Sequence, residues 1–120
     1  MMEAQKPCIN TVLFAFYDMT FFIYVLYSQS INRFYVGHSE DPFRRLTEHN
    51  FGKHFKSTTH GRPWILKAVF EVKGERGDAL KIEKFIKKQK SRALIEKLID
   101  SNFTPQDFLA QLVRVPHVRD

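Results

Sequence analysis

Cysteine is nearly absent. Cys8 is the single thiol in 120 residues, so no disulfide can form within the chain and no zinc site can rest on paired cysteines. That usage fits a reducing, cytoplasmic compartment. Histidine offers no substitute, because His38, His49, His54, His60 and His117 follow no recognised metal-ligand spacing. A membrane-length apolar run is missing too. Thr11 to Tyr27 is nearly all apolar, but it reaches only about 17 residues and Asp18 breaks it near the middle. The chain start has Lys6 as its only cation and no small-residue cleavage site, which argues against a signal peptide. Met19-Thr20-Phe21 leads straight into the first alternating segment, so Met19 reads as the native start, with residues 1–18 an extension or loose tail.

Acidic residues are outnumbered, 13 against 19 Lys and Arg, giving a formal charge of +6. Most of the excess lies beyond Arg44. Such a balance suits a polyanionic partner, either nucleic acid or an acidic membrane surface, and a merely soluble cationic face is the alternative. With 43% apolar residues, the chain can still bury one compact core. No repeat, low-complexity segment or interior linker divides it, so it reads as one domain.

Residues 21–28 alternate and are rich in Phe, Ile, Val and Tyr, the pattern of a strand. Gln29 to Arg33 makes a turn, and Phe34 to Gly37 begins the return strand of a hairpin that brings Tyr24 and Tyr35 together. Ser39 or Asp41 can cap the helix that follows, with Pro42 in its first turn and Gly52 at its end. On that helix Phe43, Leu46 and Asn50 share one face, and Arg45 and His49 point together from its flank. Residues 53–63 form a basic loop, and Trp64 to Val72 is a third strand with apolar residues on both faces. Asp78 caps a helix running to about Lys90, a second starts after Ser91, and Thr104-Pro105 signals a third. The expected fold is α/β (α+β), a small three-stranded sheet with flanking helices in the order β-β-α-β-α-α. In the last segment Phe108, Leu109, Leu112 and Val113 suit an amphipathic helix that packs on the domain or recruits a partner.

Glu83 falls inside or beside the apolar stripe Ala79, Ile82, Phe85 and Ile86. A carboxylate there is costly unless it is paired or holds a metal, and Lys87 at i+4 offers the simple pairing. Arg45 can clamp a phosphate with its planar guanidinium, and His49 can shuttle a proton; a solvated helix face with Arg44 and Glu48 is the ordinary reading. Tyr24, Tyr27 and Tyr35 lie on hairpin strands, where tyrosine commonly just fills half-buried surface. The series Lys81, Lys84, Lys87, Lys88, Lys90, Arg92 and Lys97 is either a solubilising face or, with Lys53, Lys56 and Arg62, a surface that tracks phosphates.

Taken together, these residues resemble the GIY-YIG nuclease superfamily, and more closely its small stand-alone bacterial members, similar to the N-terminal domain of the excision-repair incision subunit. The first motif stands here as Phe22-Ile23-Tyr24, the second as Tyr35-Val36-Gly37. Asp41, Arg45, Leu46 and His49 follow at the family spacing, Thr58 to Trp64 looks like its basic loop, and Ala79 to Glu83 matches its metal-binding helix. Phe22 replaces the first motif's glycine, and His38 stands where a lysine is common. The asparagine that some members carry after the glutamate has no match, since Ile95 lies near that spot.

The resemblance implies a nuclease domain over residues 19–100, which leaves 101–120 as a C-terminal helical tail read from its own apolar pattern. It also implies one divalent metal, Mg²⁺ or Mn²⁺, on Glu83. A motif tyrosine, Tyr35 or Tyr24, would activate water as general base, with Tyr35 preferred and Tyr24 beside it. Arg45 would stabilise charge on the phosphate and His49 would assist. His38, Lys53, Lys56, Arg62, Lys84, Lys87 and Lys88 would meet the nucleic acid. The expected activity is DNA phosphodiester hydrolysis in repair or recombination, with no membrane or small-molecule substrate. The chain lacks the second nuclease domain and helix-hairpin-helix module of the full repair subunit, so a further repair protein is an expected partner. A non-catalytic nucleic-acid binder keeping the fold is the alternative, and a structural protein with a basic interaction face is a third.

Overall fold

A computed structural model describes residues 20–53 and 56–116. The proposed start at Met19 and the extension before it lie outside the described residues. Strand β1 (Phe21–Ser28) and strand β2 (Arg33–Ser39) form the expected hairpin, pairing antiparallel from Phe22↔Ser39 to Ser28↔Arg33. Helix α1 (Pro42–Phe51) follows, then a 3₁₀ turn (Lys56–Gly61), strand β3 (Trp64–Val72), helix α2 (Arg76–Gln89) and helix α3 (Arg92–Ile99).

The sheet has four strands rather than three, in the order β2-β1-β3-β4. Strand β4 (Leu112–Arg114) pairs antiparallel with the end of β3, where an amphipathic helix was expected. The apolar spacing of Leu109 and Leu112 serves either shape, and both are buried. Asp107 stands at a left-handed φ of 57°, and only a short 3₁₀ turn (Asp107–Gln111) forms before the chain extends to pair with β3. Arg114 then fastens the end of α3, donating to the carbonyls of Leu98 (2.9 Å), Asp100 (2.9 Å) and Phe103 (3.2 Å) while lying over the Phe70 ring.

The sheet has two unlike faces. Phe21, Ile23, Val25, Val36, Ala68, Phe70 and Val72 bury a large core under α2 and α3, joined by Ala79, Ile82, Ile86 and Leu98. On the opposite face a smaller cluster of Tyr24, Leu26 and Trp64 packs with Tyr35, Leu46 and Leu66. Strand β3 serves both because of a bulge. Its register with β1 steps from Val25↔Ala68 to Leu26↔Leu66, skipping Lys67. The extra residue turns Trp64 and Leu66 toward one face and Ala68, Phe70 and Val72 toward the other, since side chains alternate with period two.

Two helix starts are settled by their caps. Asp41 caps α1, accepting from the Arg44 backbone N–H at 3.0 Å, while Ser39 accepts from Asp41 itself at 2.8 Å. Glu75, not Asp78, begins α2; Asp78 is the third residue of that helix and reaches back to the Glu75 N–H at 2.8 Å. Helix α1 also departs from expectation. Phe43 is 51% exposed, and His49 is the side chain it buries deepest.

Candidate active site

Tyr24 lies opposite Gly37 across the hairpin, and its ring lies over that glycine. A Cβ at Gly37 would stand 2.6 Å from the Tyr24 hydroxyl and ring, so the close approach requires glycine. Tyr24 is 2% exposed and its hydroxyl meets His49 Nε2 at 3.0 Å. His49 Nδ1 meets the Thr58 hydroxyl at 3.0 Å, which makes a buried chain Tyr24–His49–Thr58.

The segment expected as a basic loop is what holds this chain in place. Asn50 and Trp64 exchange two hydrogen bonds (2.6 and 3.1 Å), and the Trp64 indole donates to the Thr58 carbonyl at 2.7 Å. Arg62 donates to the carbonyls of His49 (2.6 Å) and Gly52 (2.5 Å), closing the end of α1. Arg62 therefore has a structural engagement besides any contact with nucleic acid.

Tyr35 stands on β2, the outer strand, two residues along from Gly37 and on the Tyr24 face. Its ring centroid is 4.6 Å from that of His49 and 6.3 Å from that of Tyr24, so His49 contacts both tyrosines. Lys87 reaches over Tyr35 from α2, with Nζ 5.1 Å from the ring centre. The same ammonium binds Glu83 Oε2 at 2.7 Å, which puts carboxylate and phenol on one patch. The other Glu83 oxygen meets His38 Nδ1 at 2.5 Å. Glu83 is 14% exposed at its side chain, so it sits at the edge of the core and still reaches solvent.

Arg45 enters from α1. It donates through Nε to Ser39 at 3.4 Å and through an Nη to Glu48 at 3.0 Å, while Glu48 also meets Arg44. Burial pushes the Tyr24 hydroxyl above the ordinary phenol range, with the nearby Tyr35 and Glu83 adding to this and Arg45 opposing it. Tyr35 is raised in the same direction, again by burial first; Lys87 and Arg45 pull it down and Glu83 pushes it up. Glu83 and Arg45 thus act electrostatically on both rings. His49 is lowered to about 4 by burial and by the charges of Arg45, Arg62 and Lys87, against Glu48. It is neutral at physiological pH, so it has one donor and one acceptor to share between Tyr24 and Thr58.

Lys53, Lys56, Lys84 and Lys88 are exposed, the first two beyond α1 and the others along α2. His38 instead faces the large core side and is tied to Glu83.

The sequence model of the GIY-YIG catalytic domain matches residues 20–97. The chain belongs to the GIY-YIG family. A protein from Brugia malayi named "Structure-specific endonuclease subunit SLX1 homolog" is 33% identical over 89 residues, covering 68% of this chain and 27% of that protein. A "UPF0213 protein" from Aeromonas hydrophila is 37% identical over 89 residues, covering 74% of this chain and 61% of its own length.

Within this GIY-YIG domain, Glu83 is the carboxylate beside Tyr35, and its two oxygens are engaged by His38 and Lys87. Among the described residues no group of three or more His, Cys, Asp or Glu could hold a metal. A cation here would rest on the Glu83 carboxylate and keep most of its water, as Mg²⁺ and Mn²⁺ do. Thr58 stood in the sequence only as the start of the basic loop and Ser39 only as a cap, and their contacts with His49 and Arg45 were not foreseen. Their short hydroxyl side chains carry no periodic signal, and only the fold brings them to His49 and Arg45.

Proposed function

We propose that this GIY-YIG domain is a metal-dependent endonuclease that hydrolyses DNA phosphodiester bonds in repair or recombination. One observation carries the reading. Lys87 joins Glu83 (2.7 Å) to the Tyr35 ring (5.1 Å), so a carboxylate able to hold a cation lies beside the more exposed tyrosine. A bound divalent cation would supply Lewis-acid stabilisation to a phosphate oxygen. Tyr35 would accept the proton of the attacking water; burial favours its phenol form, and Lys87, Arg45 and a bound cation are the charges that would favour the phenolate. Tyr24 is too buried for that task and is held on His49, so its part is to fix the floor on which Tyr35 and Arg45 stand. Arg45 supplies guanidinium charge where negative charge builds on the phosphate.

The cationic surface of Lys53, Lys56, Lys84 and Lys88 suits the DNA backbone. The chain spans 27% and 61% of the length of the two relatives, and the first is named as a subunit. Action with a partner protein on structurally irregular DNA fits that relation. Among the described residues no helix is long and apolar enough to cross a membrane; the single cysteine is compatible with a reducing, cytoplasmic setting.

Nicking of supercoiled plasmid with Mg²⁺ or Mn²⁺ tests the proposal. Wild type nicks, and Glu83→Ala, Tyr35→Phe and Arg45→Ala each fall by roughly a hundredfold or more. An inactive wild type, or a Glu83→Ala as active as wild type, overturns it. A second reading, a binder that keeps the fold without cutting, is favoured by one fact. Both Glu83 oxygens already have protein partners, His38 and Lys87. DNA binding that persists in EDTA with no nicking would establish that reading.

A further inference from the structure

We propose that a cleft beside β2 holds an unpaired nucleotide of the DNA strand next to the cleavage point. Binding there requires a nucleotide that is not stacked within a duplex. This rests on the reading that Glu83 and Tyr35 cut DNA, and it names the substrate feature they meet.

Strand β2 is the outer strand of the sheet, and the corner where α2 passes into α3 stands beside it. The space between is a cleft of about 310 Å³. Phe34, Val36, Ile86 and Ile95 give it an apolar floor. Arg33, Lys90 and Arg92 stand around it, and Lys87 lies at the end shared with Tyr35. Among the described residues no carboxylate lines it.

One wall is rigid. Arg92 donates to the Asn32 carbonyl (2.9 Å) and side-chain oxygen (2.7 Å), pairs with Glu96 at 3.1 Å, and lies over the Phe34 ring at 4.9 Å. Lys90 ends α2 with φ 49°, in the left-handed region, so the chain turns there and carries its exposed ammonium at the corner.

A duplex keeps its bases stacked inside and offers mainly phosphates, for which an apolar floor gains nothing. An unpaired nucleotide brings both an apolar π-face for the floor and a phosphate for the cations. The volume is at the lower end of small-ligand sites, enough for a single nucleotide and not for a double helix. Continuity with the site sets the position. Lys87 belongs to the cleft and also binds Glu83, so a strand lying in the cleft leads directly to that carboxylate.

The test uses the full chain in EDTA, with binding followed by fluorescence anisotropy. The probes are a labelled single-stranded thymidine oligonucleotide and a blunt duplex of equal length. Arg33→Glu with Lys90→Glu, both at exposed positions, should weaken the single strand about tenfold or more and the duplex by less than about threefold. Photocross-links from iodouracil in the single strand should map to residues 33–36 or 86–95. Equal losses for the two probes, or cross-links confined to residues 53–63, overturn the inference. Plasmid nicking separates it from the reading beneath. Binding results as expected without any nicking sink the cutting reading and leave the cleft; nicking with no preference for unpaired strands does the reverse.

Discussion

His49 is fully buried, and its two ring nitrogens each meet a hydroxyl, Tyr24 on one side and Thr58 on the other. A buried imidazole of this kind resists protonation, which is why its pKa falls to about 4. The linkage sign follows. Between about pH 6.5 and 4 the unfolded chain binds a proton that the folded chain refuses, so stability rises with pH across that window. We expect stability from this group to be full above about pH 6.5 and lost by about pH 4, amounting to roughly 3 kcal/mol. Urea denaturation at pH 7 and pH 4.5 measures it, and His49→Gln should flatten the difference. The two tyrosines should separate by role as well. Tyr24→Phe removes a buried partner of His49 and should cost about 1–2 kcal/mol of stability. Tyr35→Phe should leave stability within about 0.5 kcal/mol of wild type while abolishing nicking. Paired denaturation and nicking assays read both.

At the level of elements, the sheet depends on the β3 bulge. Lys67 is the residue the bulge absorbs: without it Leu26↔Leu66 would run straight on to Val25↔Ala68, and simple alternation would keep Trp64 and Leu66 on one face and Ala68, Phe70 and Val72 on the other. We expect deletion of Lys67 to leave unfolding cooperative, observed by circular dichroism against temperature, and Lys67→Ala to unfold as wild type does. Parts of this level were legible in the chain. The hairpin, α1 and the start of α3 follow from local alternation and from cap residues such as Asp41 and Ser91, which act within a few positions. Glu75 was missed as a cap because Asp78 carries the same signal three residues on. Strand β4 was missed because a three-residue strand is defined by its partner, β3, and leaves too little pattern of its own. The gathering of Tyr24, Tyr35, Arg45, His49 and Glu83 was legible as ordered motifs. The ties from His38 and Lys87 to Glu83 differed in this respect, since Lys87 sits at helical spacing while His38 is 45 residues away.

For the whole molecule, charge and fold act together. The +6 charge is displayed near the site by exposed lysines on α2 and beyond α1, so non-specific DNA affinity should fall steeply with salt. Replacing Lys84 and Lys88 with Gln should reduce the slope of log affinity against log salt by about 1 to 2, measured by titration between low and physiological salt. Stability should stay within about 0.5 kcal/mol, because both side chains lie on the surface. Under the proposed function, groups from β2, α1 and α2 form one reacting site. Single-turnover nicking by Tyr35→Phe, Glu83→Gln and the double variant measures this most directly. Residues acting as a unit lose activity non-additively, so the double variant should be about as slow as the worse single one. Losses that multiply, or a Glu83→Gln variant with the wild-type rate, would contradict a shared site.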